Sequence, residues 1–174
     1  MRRATWRARR ATTPAPRIST HSCDRLGPAA KNVAQVGAAI GREFSYELLA
    51  AAVPLAEPEV QEALRRLVEA GLVFQRGVPP TAEYLFKHAL VQDTAYSTLL
   101  RGPRQALHRR IAEALEQRFP DFVETRPEIV AHHYGEAAIA DKAIIYWHRA
   151  GKLSVAKSAV REAIAQLRLS LIHI

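Results

Sequence analysis

The 174-residue chain has little of several things a protein can be built around. It carries one cysteine, Cys23, so no disulfide framework can form within it and the redox compartment stays open. Aromatic residues make up 7% of the sequence while Ala and Leu are abundant, a balance that favours helix over sheet. No apolar run approaches the roughly 20 residues a membrane span needs. No Gly-x-x-x-x-Gly-Lys-Ser/Thr phosphate loop is present. The nearest text, GAAIGREF from Gly37, has a shorter glycine spacing and puts Arg42-Glu43 where Lys-Ser/Thr belong. No acidic run follows a strand to hold magnesium. The chain alone is therefore not expected to hydrolyse ATP or to make a cyclic nucleotide.

What it has in excess is positive charge, a formal +8, but in one place. Residues 1–25 hold seven Arg against one Asp, a net +6, whereas residues 26–174 hold 18 basic and 16 acidic side chains, a net +2. A pI of 10.1 concentrated in this way is weak support for nucleic-acid binding by the body of the chain. The first 25 residues show no apolar periodicity and are expected to be disordered in isolation. They read as a segment that is not native to the domain; a basic tail and an Arg-rich transit peptide are the alternatives. His21 and Cys23 stand close together, but two ligands do not make a zinc site.

From Gly27 the pattern becomes orderly. Pro28 to Ile40 reads as a helix, with Pro28 in its first turn and Gly41 after its end. Ser45 caps a short helix that Pro54 ends. Glu57 to Ala70 carries the stripe Val60, Leu64, Leu67 and Val68, with Gly71 as the C-terminal stop. Leu72–Gln75 and Glu83–Phe86 read as a β-hairpin turned at Gly77, Pro79 and Pro80. Residues 26–101 thus have the outline of a winged helix. Helix resumes from His88 to Leu100 and is interrupted at Gly102-Pro103. It continues with Leu107, Ile111, Ala114, Leu115 and Phe119 on one face, and Pro120 closes that element. Three more helices are expected, beginning near Pro127, Asp141 and Ser154. Small residues at Ala143, Ala150, Ala156 and Ala163 permit close approach. Residues 102–174 therefore resemble antiparallel tetratricopeptide (TPR)-like helix pairs, and the lack of a cap in the last residues reads as truncation. The fold class expected is mainly α: a winged helix with a small β-hairpin, then TPR-like pairs.

Few residues invite chemistry. The Glu57–Ala70 helix carries Glu57, Glu59, Glu62 and Glu69 against Arg65 and Arg66, a net −2, the wrong sign for a helix that enters a DNA groove. The wing adds only Arg76. His132 and His133 are adjacent on a helix and point about 100° apart, so they cannot share a metal as an i, i+4 pair could. His108 and His148 are isolated in sequence, and all four histidines are expected at the surface or in packing. Asp93 and Tyr96 have i, i+3 spacing without forming a catalytic set, and Ser97 has no evident base. No catalytic residue, metal ligand or membrane contact is expected, and the chain should be cytoplasmic.

The stretches DRLGPAAKNVAQVGAAIGREFSYELL, LRRLVEAGLVF, FKHALVQDTAYSTLLRGPRQALHRRIAEALE and the YWHRAG element cover nearly all of residues 24–170. Together they resemble the region after the nucleotide-binding domain in bacterial STAND-class signal-transduction ATPases, above all those fused to class III adenylate/guanylate cyclases. The resemblance implies a regulatory region between a P-loop NTPase core and an unknown protein partner, with ATP or ADP and Mg held by the parent protein and no cofactor in this chain. It implies helical repeats that bind a protein partner, and the charge of the Glu57–Ala70 helix places DNA binding well below that. In relatives a Met-His-Asp run followed by Leu-Val opens the helix after the wing, and its His contacts ADP. Here Phe86-Lys87-His88-Ala89-Leu90-Val91 takes that place, with Ala89 where the Asp stands. His88 is thus the candidate nucleotide phosphate sensor, acting only with the NTPase core; the alternative is a structural histidine tying the wing to the helix. A DNA-binding regulator and a stand-alone helical scaffold are the competing functions.

Overall fold

The computed structural model describes residues 26–157 and 159–172. The expectations for residues 1–25, including the His21 and Cys23 pair, lie outside the described residues. The rest is mainly helical, with one small three-stranded antiparallel sheet.

Helix α1 (Pro28–Ile40) starts at a proline, whose fixed φ and missing N–H suit a first turn. It buries Val33 and Val36 completely. At Gly37 a Cβ would come within 2.8 Å of the Phe44 ring, so only glycine lets α1 lie this close to the next element. That element is strand β1 (Glu43–Ser45), which sequence reasoning missed because three residues are too few to show alternation. Ser45 ends β1 and caps α2 (Tyr46–Ala52), its hydroxyl accepting from the Leu48 N–H at 3.3 Å. Helix α3 (Glu57–Glu69) buries Val60, Ala63, Leu64 and Leu67, and the Glu59 carboxylate accepts from the Ala56 N–H at 3.1 Å. Gly71, at φ +70°, then turns the chain in the left-handed region.

Strands β2 (Val73–Arg76) and β3 (Glu83–Phe86) pair antiparallel, Val73 opposite Phe86 and Arg76 opposite Glu83. The expected hairpin is therefore present, shifted by one residue in its first strand. It is part of a larger sheet: β3 is central, with β1 on its other edge and Phe44 opposite Tyr84. The Phe44 ring lies 5.7 Å from Tyr84 and 5.6 Å from Phe86, so one sheet face closes on aromatic contacts.

Helix α4 (Ala89–Ser97) and helix α5 (Arg101–Arg118) are separated at Thr98–Leu100, not at Gly102-Pro103. Those two residues fall in the first turn of α5, where a missing N–H costs no intrahelical bond. Pro120 opens a further short helix, α6 (Pro120–Thr125), before α7 (Pro127–Glu136). Ala138, at φ +58°, stops α7, with the Ile139 N–H returning to the Tyr134 carbonyl at 2.9 Å. Helix α8 (Ala140–Ala156) runs past Ser154, where a new helix was expected, and α9 starts later (Val160–Ile172). Ala143, Ala150 and Ala163 are buried as expected, whereas Ala156 is exposed. The closest approach is at Gly151, where a Cβ would meet Leu167 at 2.7 Å. One contiguous apolar core runs from Ala30 to Ala143, so α5 and α7 share an interior with α1 and α2. Among the described residues no helix is long and apolar enough to cross a membrane.

Candidate functional site

His88 sits between β3 and α4 with its side chain exposed. Its imidazole makes no hydrogen bond or ion pair with another described residue. Main-chain bonds hold the junction: the Lys87 N–H donates to Leu72 O at 3.1 Å and the Val91 N–H to His88 O at 3.0 Å. The Lys87 ammonium lies 4.6 Å over the Phe74 ring. The side chain of His88 is therefore available to an incoming group and is not what joins strand to helix.

The two arginines of α3 are paired with carboxylates of the same helix. Arg65 donates to both oxygens of Glu62 at 2.8 Å and also pairs with Glu69, while Arg66 Nε donates to Glu62 at 2.8 Å. These hydrogen bonds hold the Glu62 carboxyl down at about 2. Arg109 is likewise paired with Glu113 at 2.8 Å, and Arg76 of β2 with Glu83 of β3 at 3.7 Å. Each of these arginines thus has an intramolecular carboxylate partner.

The histidines are where structure departs most from sequence. His108 on α5 and His133 on α7, 25 positions apart, are both buried, with their Nδ1 atoms 2.8 Å apart. Tyr96 Oη lies 2.9 Å from His108 Nε2 and donates to Glu136 at 3.4 Å. A carboxylate only accepts, so Tyr96 gives its proton to Glu136 and takes one from His108 Nε2–H. His108 Nδ1 is then the acceptor for His133 Nδ1–H. Burial pushes the His108 imidazole down to about 4; His132 and Arg104 push the same way, and Glu136 opposes them. Burial, then the neighbouring His108 and His132, pushes His133 down to about 3. Both rings are neutral at physiological pH. His132 is exposed and His148 is exposed, as their separate helical faces require. Among the described residues no group of three or more His, Cys, Asp or Glu is placed to hold a metal ion.

This pair forms one wall of a cleft of about 1000 Å³ between α1, α4, α5, α7, α8 and α9. Ala39, Ile40, Ile129, Trp147 and Leu169 give it an apolar lining. Asp93, Glu128, Glu136 and Glu162 bring carboxylates to it, and Arg104 brings the guanidinium. Asp93 and Tyr96 both line this cleft. Ser97 is turned to the Thr94 carbonyl at 2.9 Å and does not contribute.

A second polar centre lies at the other side of α7. The Glu116 carboxylate accepts from Tyr134 at 2.5 Å, Tyr146 at 2.7 Å and Lys142 at 2.7 Å, joining α5, α7 and α8. Burial by itself raises this carboxyl, but the three donors outweigh it and hold it below its ordinary value. Burial and the shared Glu116 charge push both tyrosine hydroxyls up to about 12.

No protein-family model matches the chain, and no solved structure matches it. An uncharacterized protein of Rhizobium meliloti (strain 1021) is 33% identical over 135 residues, a stretch that is 77% of this chain and 13% of that protein. The chain thus corresponds to a small part of a much longer relative.

Proposed function

We propose that the chain is the regulatory, protein-interaction region of a STAND-type ATPase or an ATPase-linked cyclase, coupling the nucleotide state of a separate P-loop domain to partner binding. The observation that carries this reading is the order of its first elements. Helix, strand, helix, helix and hairpin, with β3 between β1 and β2, supports reading this part as a winged helix with α3 as its third helix. The consecutive packing of α7, α8 and α9, with small residues at their contacts, supports TPR-like pairs behind it. The match to 13% of a longer protein agrees with a role inside a multidomain chain. The exposed His88 imidazole, at the wing–helix junction, suits a contact with the phosphates of a nucleotide held elsewhere. ATP or ADP and Mg belong to the parent protein in this reading, and this chain performs no catalysis of its own.

The test supplies the NTPase core in trans and measures its ADP affinity without the chain, with the chain, and with His88→Ala. The native chain is expected to tighten ADP binding about tenfold, a coupling of ordinary allosteric size, and the variant to lose that gain. Equal affinity with and without the native chain would remove the regulatory role; equal affinity with native and variant chains would remove only the sensor role of His88.

A winged-helix DNA regulator is the second reading. The arginines of α3 are bound to Glu62 and Glu69, which leaves that helix no free cation for phosphates. A salt-titrated DNA-binding assay is expected to show no steep salt slope once residues 1–25 are removed.

A further inference from the structure

The cleft beside the histidine pair has a chemistry that the regulatory reading does not use. Its six contributing helices come from both halves of the chain, so it is a built concavity. A mostly apolar hollow of several hundred Å³ with a few converging polar groups is the usual form of a small-molecule site. Its charge is one-sided: four carboxylates against one guanidinium. Outside the cleft, Glu62, Glu69, Glu83, Glu113 and Glu116 have an arginine or lysine partner, while Glu43, Glu47 and Glu124 make no ion pair with a described residue. In the cleft, Asp93, Glu128 and Glu162 make no hydrogen bond or ion pair with another described residue, and Glu136 has only the long bond from Tyr96. Arg104 makes no close ion pair with them, and its Nε is buried without a hydrogen-bond partner. Its guanidinium lies 4.5 Å over the Tyr96 ring and donates to the Leu99 carbonyl at 3.3 Å.

We propose that the cleft binds an organic cation with an apolar body, an aryl or alkyl ammonium or guanidinium compound. Its hydrocarbon part lies against Ile40, Ile129 and Trp147, and its charged head is held among Asp93, Glu128 and Glu136. Carboxylates at the edge of an apolar hollow act through a lower effective dielectric than bulk water and so favour a cation over its neutral isostere. An anionic ligand meets four like charges there. The proposal stands independently of the STAND-type reading, since it needs neither an NTPase core nor His88.

Calorimetric titration of the full chain with three probes of one shape tests it: phenethylammonium, phenethyl alcohol and hydrocinnamate. Phenethylammonium is expected to bind with a single site per chain, the alcohol about tenfold more weakly, and hydrocinnamate more weakly still. The double variant Glu128→Gln/Glu136→Gln should lower the ammonium affinity about tenfold and leave the alcohol unchanged. Ala165→Trp, at an exposed position on the cleft wall, should block both while the far-ultraviolet dichroism stays native. Absence of binding by phenethylammonium up to about 10 mM, equal affinity for the three probes, or an ammonium affinity indifferent to the glutamine substitutions would each overturn the proposal.

Discussion

Between Leu26 and Phe86 the buried side chains are hydrocarbon apart from the hydroxyl tips of Tyr46 and Tyr84, and Arg65, Arg66 and Arg76 stand outside, paired with glutamates. From Arg101 onward the interior takes in two imidazoles, and a partly buried carboxylate gathers three donors. Both regions share one apolar core, so the contrast is in how polar groups are satisfied and not in how much is buried. Apolar burial depends little on proton concentration. A buried imidazole pair is stable only while it is neutral. The two regions should therefore fail under different conditions, although they unfold as neighbours.

The largest effect is expected from Phe86→Ala. Phe86 is fully buried and touches Phe44 across the sheet, so its truncation should cost about 3–5 kcal/mol in urea unfolding. The loss should be the same near neutral pH and in mild acid, because the ring's burial and its contact with Phe44 are apolar. A loss that grows with acid would mean that the first region is not the purely apolar one described. Glu116→Ala comes next. It strands two tyrosine hydroxyls and Lys142, and with Glu116 and Lys142 partly open to water the cost should be about 2–3 kcal/mol. Glu116→Gln keeps an acceptor and should recover part of that loss. Equal losses in the two variants would show that the node acts through charge alone.

Acid separates the regions most directly. The folded His108 and His133 are held at about 4 and about 3, below the ordinary 6.5, so the unfolded chain takes up protons first. Their contribution is complete above 6.5 and is lost as pH falls from there toward 3. Between near-neutral pH and about pH 5 each imidazole should cost on the order of 2 kcal/mol. A pH series of urea midpoints is expected to fall through this window. The double variant His108→Leu/His133→Leu should flatten it, since replacing both partners leaves no orphaned donor. Glu116, held low by its donors, gives a separate loss only in stronger acid. A fall in the double variant as steep as in the native chain would rule out the imidazole pair as its cause.

What was legible in the sequence follows the same division. The stripe of Val60, Leu64 and Leu67 and the flanking Pro58 and Gly71 specify α3 locally, and α1 is specified by Pro28 and its apolar spacing. Strand β1 was not legible, because what makes Glu43–Ser45 a strand is the edge of β3, forty residues later. Proline signals were ambiguous in sign: Pro120 and Pro103 each opened a helix where they were read as closing or interrupting one. His132 is exposed and His133 buried, although their rings lie 5.5 Å apart, and nothing local brings His108 to His133. One signal was present. His108 lies on the α5 stripe with Ile111 and Leu115, and His133 beside Val130 and Tyr134, and a histidine on an apolar face needs a partner inside. The cleft was illegible for a stronger reason, since its wall is assembled from six helices.

The smallest effect, and the sharpest check on the first region, is expected from Glu62→Gln. Glu62 holds Arg65 and Arg66 in a network that looks substantial in its distances, and its carboxyl is held at about 2. The group is exposed, so water already solvates each charge and salt screens their attraction. The substitution should therefore leave the urea midpoint within the spread of ordinary surface changes, and any shift should shrink further in high salt. Its consequence should appear in binding instead. Glu62→Gln makes α3 less acidic and releases Arg66 from its carboxylate while Glu69 still holds Arg65, so non-specific DNA affinity should rise measurably at low salt in a chain lacking residues 1–25. If affinity does not change, the acidic pairing is not what keeps α3 from phosphates, and the shape of the surrounding surface must be. If the midpoint instead falls as far as it does for Glu116→Ala, the division between an apolar first region and a polar second one is wrong.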